Sequence, residues 1–380
     1  MKTRMRRRAA HLREQALSVR AWAEQNRLLH AGRFSLAANP ALAVDAETFS
    51  ASGVVAFARK PIVAIGMNPN RGETGAVVIY TARPLSAAEA TQAAENFRGD
   101  SELLFRVAKP LTLDPGVAAP LAAALPDTGL GHRYPCGTSV SIGNVREAGT
   151  LGCLLRDAAG DLFGLSANHV TGGCSNARPG TPIVAPGIKD VGAGLPDPRS
   201  IGRHFRALAL VQGDPSAVDA RRNRDAAAFR ILDPDAMSSS QGGHYDTPGL
   251  VADPVEDALV EKVGRTTGLT RGFVESEIVG SFPVSYKTTV FHSAEEETSF
   301  TGQVFFEPVF VIRSEQGGPF ALSGDSGALV TTVPDEGNQR SAVGIIFSGR
   351  GSDESYMLPL RPVLDELGMT IVSGHGTLQA

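Results

Sequence analysis

The chain has 380 residues, a formal net charge of -4, 42% hydrophobic and 20% charged residues, which excludes a disordered or fibrous polymer. Its 42 Gly and 24 Pro make up roughly one residue in six against a usual one in eight, without a collagen-like period. That punctuation favours short strands and tight turns over long helices; the near-neutral charge argues against a nucleic-acid partner, and no apolar run of about 18 residues predicts a transmembrane helix.

In chain order, residues 1–50 read as a basic amphipathic helix, with Leu12, Leu17, Val19, Trp22 and Leu28 spaced along it, followed by a linker. The basic start has no apolar h-region, so no secretory signal is read, and Glu14 and Glu24 argue against a mitochondrial transit segment. Residues 51–113 read as a small α+β domain: strands near 60–67, 75–81 and 103–107, and a helix opened by the capping box Ser86 to Glu89. Residues 114–136, rich in Pro, Ala and Gly, read as a linker. From 137 the chain becomes a succession of short apolar runs, at 151–156, 162–167, 201–210, 226–232, 258–263, 272–279, 304–312, 328–333 and 343–347, with one helical run at 358–367. This density predicts a mainly β fold, a barrel or pair of barrels.

Three side chains stand out as candidates for chemistry. Ser326 lies in Gly324-Asp325-Ser326-Gly327 before an apolar strand, where glycines let successive N–H groups converge beside the hydroxyl. A serine nucleophile needs a base, and the base needs an orienting acid. His169 ends an apolar strand, unlike His11, His30, His132 and His375 in helical or loop-like contexts. Asp225 precedes Ala226-Ala227-Ala228, small residues that allow close approach; Asp214 and Asp219 are rivals in more turn-like surroundings. Cys136, Cys153 and Cys174 are too few for a disulfide framework and lack zinc spacing. No P-loop or H-E-x-x-H is present, so neither metal nor organic cofactor is expected.

Leu165-Ser166-Ala167-Asn168-His169-Val170, Asp225-Ala226-Ala227-Ala228-Phe229 and Gly324-Asp325-Ser326-Gly327-Ala328 occur in the order His, Asp, Ser. They resemble the signature segments of trypsin-like serine peptidases with the chymotrypsin double-barrel fold. The closer resemblance is to a cytoplasmic, disulfide-poor branch that includes the narrow-leaf type plant proteases and bacterial relatives. It rests on Gly149-Thr150-Leu151-Gly152-Cys153 and on Gly264-Arg265-Thr266-Thr267-Gly268. It covers residues 137–367, and more loosely 51–113. The implied fold is two six-stranded antiparallel β-barrels, 137–250 carrying His169 and Asp225 and 251–380 carrying Ser326 and a C-terminal helix.

The resemblance implies a serine endopeptidase with His169, Asp225 and Ser326 as triad and the Gly324 and Ser326 N–H groups as oxyanion hole. Phe320, Phe347 and Gly349 would line the substrate pocket, with no acidic residue at its base to select Lys or Arg. Expected partners are a protein or peptide substrate and a regulatory protein or second copy of the chain; the expected compartment is the cytoplasm. A catalytically silent peptidase-fold binding module is the alternative, while an esterase of the G-x-S-x-G type would show the reverse order of triad residues. In secreted relatives the position of Asp325 pairs with a freed N-terminus. No cleavage site marks one here, so either another cation meets Asp325 or the site is assembled by another route.

Overall fold

The computed structural model describes residues 2–30, 48, 49, 57, 60–113, 133–192, 197–315, 317–335, 337–349 and 354–377. The rest, including 114–132 of the expected linker and most of 31–59, lies outside the described residues.

Helix α1, Lys2–Gln25, is shorter than the sequence pattern suggests. It buries Leu12, Ala16, Val19 and Ala23, a spacing of three and four residues that lines one face. That face covers the buried strands β1, Ile62–Asn68, and β2, Ala76–Thr81, through Ile62, Ile65, Val77 and Ile79. Helix α2, Ala87–Glu95, carries the expected capping box from Ser86 and Glu89. It crosses over to β3, Glu102–Val107, which runs parallel to β2, as a parallel pair requires. The short strand β4 follows at Leu111–Leu113.

Strands β5, Tyr134–Cys136, β6, Ser139–Ile142, and β7, Gly149–Thr150, open the first barrel. Next come β8, Cys153–Arg156, β9, Leu162–Ser166, a one-turn helix α3, Asn168–Thr171, β10, Pro182–Ala185, β11, Arg199–Ala207, and β12, Ala227–Ile231. Together with β23, Thr370–Ile371, they form a curled sheet in the order β23-β8-β9-β12-β11-β10-β6-β7. A connecting ribbon of β13, Met237–Gln241, and β14, Tyr245–Asp246, pairs with β5.

The second barrel is closed. Strands β15, Leu259–Gly264, β16, Gly268–Ile278, β19, Val309–Ser314, β20, Leu329–Thr332, β21, Ala342–Gly349, and β22, Glu354–Pro359, pair around a full circle, the β15–β16 pairing completing it. Between β16 and β19 a long hairpin stands out: β17, Phe282–Phe291, and β18, Glu297–Phe306. The apolar run 304–312 is thus two strands, broken at Glu307 and Pro308, because proline cannot donate to a ladder. Helix α4, Leu360–Leu367, follows β22 directly. The architecture is mainly β, one closed six-stranded antiparallel barrel beside a curled, open sheet where a second six-stranded barrel was expected, with an N-terminal helix.

The strands of the α+β unit do not form a sheet of their own. Strand β1 pairs antiparallel with the end of β16, Gly66 against Ile278 and Met67 against Glu277, so β1, β2 and β3 prolong the sheet of the second barrel. Glycine is required at position 66, where a Cβ would lie 3.0 Å from the Ser276 Cβ and clash with its hydroxyl. At this junction the buried Glu275 accepts from Arg106 Nε at 2.8 Å, Arg313 Nη1 at 3.2 Å and the Tyr80 hydroxyl at 2.9 Å. Tyr80→Phe leaves that carboxylate short of a donor with no loss of ring volume. It is expected to lower the unfolding free energy by about 1–3 kcal/mol in urea titration, and an unchanged midpoint would contradict this account of the junction.

Candidate active site

Strand β9 is buried throughout and delivers the chain to the one-turn helix in which His169 is the second residue. Asn168 locks the turn: its side-chain amide donates to the Leu208 carbonyl at 2.8 Å and its Oδ1 accepts from the Ser175 N–H at 2.8 Å. Strand β12 pairs with β9 through Ala227 and Ser166, which sets Asp225 beside the start of this turn. Ala226, Ala227 and Ala228 are each fully buried, so the close approach expected from small side chains is realised.

Asp225 has no solvent exposure and clasps His169 twice. Its Oδ1 accepts the His169 backbone N–H at 2.9 Å, and its Oδ2 lies 2.6 Å from Nδ1. With Asp225 fixing Nδ1 as the donor, Nε2 is the unprotonated nitrogen of the neutral imidazole. Burial disfavours the charged imidazole, but attraction to Asp225, the shared hydrogen bond and the nearby Glu147 outweigh it and raise the His169 pKa above the ordinary histidine value.

The turn 324–327 lies against the end of the same strand. Gly324 and Gly327 have φ of +102° and +94°, in the region open to glycine. A Cβ at Gly327 would sit 2.9 Å from the Ala167 nitrogen. The Ser326 carbonyl accepts from Thr150 N at 2.8 Å. Between them lies Gly149, whose absent Cβ would be 2.9 Å from the Ser326 oxygen and 2.7 Å from Val170 Cγ1. Gly149 thus brings Val170, the residue after His169, against the backbone of Ser326. Among the described residues the N–H groups of Asp325, Gly327 and Ala328 bond to carbonyls, whereas those of Gly324 and Ser326 donate to none.

The cation opposite Asp325 is Lys262. Both side chains are fully buried, with Nζ 3.6 Å from Asp325 Oδ2. Four neutral donors complete the cage: Thr266 N at 2.8 Å and Thr267 N at 3.2 Å on Oδ1, and Thr267 Oγ1 at 2.8 Å and Leu322 N at 2.9 Å on Oδ2. Burial pushes the lysine pKa below its ordinary value, and Asp325 opposes that shift. Residue 264 must be glycine, since a Cβ would lie 2.8 Å from Asp325 Cγ. Beside this cage Arg265 donates through Nε to the buried Asp190 at 2.8 Å, and its backbone N–H donates to Thr150 Oγ1 at 3.0 Å.

Phe320 lies in the core of the second barrel with no exposure, its ring 5.7 Å from Lys262 Nζ. Phe347 is likewise buried, 5.3 Å from the Phe306 ring, and Gly349 ends β21 opposite Ser355. Ser355 also takes the Ala321 N–H at 3.0 Å, tying the segment before the turn to β22. Sequence reasoning missed Lys262, Glu147 and Tyr286. Only Lys262 left a trace: it shares a strand face with Val260, the alternation that turns a side chain inward.

Comparison with solved structures finds Protease A of Thermobifida fusca at 17% identity, covering 63% of this chain and 98% of that chain, with a TM-score of 0.38. A glutamic acid specific serine protease matches at 17% over 63% of this chain and 100% of that chain, with a TM-score of 0.38. A chymotrypsin of Cellulomonas bogoriensis matches at 16% over 63% of this chain and 97% of that chain, with a TM-score of 0.36. No family model and no curated protein matches the chain.

Removing one member of a buried ion pair leaves the other charge uncompensated. Lys262→Met is expected to cost about 3–5 kcal/mol in guanidinium unfolding, with much of it recovered in the Lys262→Met/Asp325→Asn double variant. A single variant as stable as the parent would rule out this pairing as a determinant of the turn.

Proposed function

We propose that the protein is a serine endopeptidase that hydrolyses peptide bonds through an acyl-enzyme intermediate. The observation that carries this reading is the pair of hydrogen bonds that Asp225 accepts from His169, beside the glycine-bounded turn that carries Ser326. In this mechanism Ser326 Oγ attacks the scissile carbonyl carbon while His169 Nε2 takes the hydroxyl proton. The carbonyl oxygen becomes an oxyanion, held by the N–H groups of Gly324 and Ser326. His169 then returns the proton to the leaving amine as the carbon–nitrogen bond breaks. Water repeats the sequence on the acyl-enzyme, with His169 again as base, and frees the acid product and Ser326. Asp225 holds the imidazole in the tautomer these transfers need. Each oxyanion donor is worth about 10²–10³ in rate, so the shape of the 324–327 turn matters nearly as much as the triad.

A preference for apolar or small side chains before the cut belongs to the same reading, since position 320 carries Phe and no acid; Phe320 and Phe347 are fully buried and would bound such a pocket from behind. Peptide-library cleavage should show that preference, and a profile dominated by Arg and Lys would contradict it. Three buried free cysteines suit a reducing cytoplasm. Control through the N-terminal region, by a protein partner or a second copy, belongs to the same reading; the β1–β16 pairing gives that region a direct connection to the barrel carrying Ser326.

Ser326→Ala should abolish labelling by a serine-directed fluorophosphonate and lower kcat by at least about 10³ while leaving the fold intact. Protonated His169 cannot accept the serine proton, and its pKa is raised. The acid limb of kcat/KM should therefore fall off as pH drops through a value above about 6.5, the ordinary histidine pKa. Equal labelling of Ser326→Ala and the parent would sink the mechanism.

A further inference from the structure

Asp225 receives a third hydrogen bond, and it comes from the hairpin that stands out from the second barrel. The Tyr286 hydroxyl donates to Asp225 Oδ2 at 2.9 Å, the same oxygen that faces His169 Nδ1. Tyr286 is 2% exposed, and its ring lies 5.9 Å from the imidazole, held between Phe300 and Phe306 at 6.4 and 6.2 Å. Burial and the neighbouring carboxylate push the phenol pKa well above its ordinary value, so the group stays a donor.

The strand that presents it is held on both sides. Its inward residues Val284, Tyr286, Thr288 and Val290 are all buried. Thr288 Oγ1 donates to Glu147 Oε1 at 3.0 Å, so β17 supplies a donor to each of the two carboxylates that act on His169. Strand β4 pairs along β17 from Val284 to Tyr286. At the base of the hairpin Asn223 donates to the Phe305 carbonyl at 2.9 Å, and at its far end Asn144 donates to that of Phe291. A hydroxyl on such a braced strand has little freedom, which is what orienting a carboxylate demands.

We propose that Tyr286 is a positioning residue of the triad: its hydroxyl fixes the rotation of the Asp225 carboxylate, and through it the imidazole of His169. This rests on the endopeptidase reading for its consequence in turnover, while the hydrogen bond itself is independent of that reading. The ionisable groups around the pair are Glu147, Cys174 and Tyr286, and only the last is altered in the test.

Tyr286→Phe keeps the ring and removes the donor. The expected result is a kcat about tenfold lower at unchanged KM, because one hydrogen bond to a charged group is lost. Asp225, relieved of a donor, holds the imidazolium more strongly, so the acid limb moves to higher pH. The His169 ring, followed by NMR, should titrate at higher pH as well. A purely structural tyrosine would lower stability and leave the limb and the titration where they were. A wild-type kcat, acid limb and His169 titration in the folded variant overturn the proposal. A 3-fluorotyrosine placed at 286, a stronger donor with near-identical packing, should move the His169 titration to lower pH; no movement also overturns it, even where the Phe variant fails to fold. Because the titration needs no turnover, absence of Ser326-dependent labelling in the parent chain would overturn the endopeptidase reading alone.

Discussion

A carboxylate taken out of water must be met by donors and, where it stays charged, by a cation or polarised hydrogen bonds. The seam between the two barrels is organised around three such groups: Asp190, Asp225 and Asp325. Each is met by residues far away in the chain. Asp190 of the first barrel meets Arg265 of the second, Asp225 of the first meets Tyr286 of the hairpin that stands out from the second, and Asp325 meets Lys262 and the backbone at 266 and 267. Two of the three pairings therefore cross the seam. Thr150 adds a link, accepting from the Arg265 N–H and donating to the Gly324 carbonyl at 2.8 Å. The position of Ser326 relative to His169 follows from these contacts, since neither barrel alone holds both.

The N-terminal unit extends this logic to the outer face of the second barrel. Its strands add to the edge of β16, and Glu275 collects donors from β2, β3 and β19 at the junction. Arg20 of α1 reaches the same region, donating to the carbonyls of Val279 at 3.0 Å and Ser281 at 3.1 Å, the residues that lead into β17. Contacts of this kind are those of a shared core, not of a loosely tethered domain. The hairpin that touches Asp225 is thus braced at its root by residues from the first 30 of the chain and along its length by β4.

Much of this was legible in the sequence for a local reason. The turn around Ser326, the strand end at His169 and the small residues after Asp225 are short segments whose composition reports their geometry directly. The capping box at Ser86 was legible in the same way, because both of its bonds form within four residues. What sequence did not show depends on pairing across long separations. The hairpin strand carrying Tyr286 was absent from the expected strands: its polar Ser285, Lys287 and Thr289 dilute an alternation that the three-dimensional pattern makes plain. The continuation of the barrel sheet into β1 joins residues some two hundred positions apart, and nothing in either strand names its neighbour. Lys262 alternates with Val260, but a lysine is so rarely buried that this trace alone does not set its face inward until the barrel closes.

The absence of disulfide bonds among the described residues becomes intelligible on the same terms. Cys153 and Cys174 share one hydrophobic core with 0% and 3% exposure, and burial raises both thiols well above their ordinary pKa, so they act as small apolar side chains with little thiolate. A disulfide stabilises largely by restricting the unfolded chain, tying positions that are distant in sequence. Here distant positions are tied by pairings that exist only in the folded state: Arg265 with Asp190, Tyr286 with Asp225, and β1 with β16. Such ties hold only while the carboxylates stay buried against their donors, so the integrity of the seam and the geometry of the candidate catalytic site rest on the same few side chains. A substitution that loosens one of them would reach His169 without touching it.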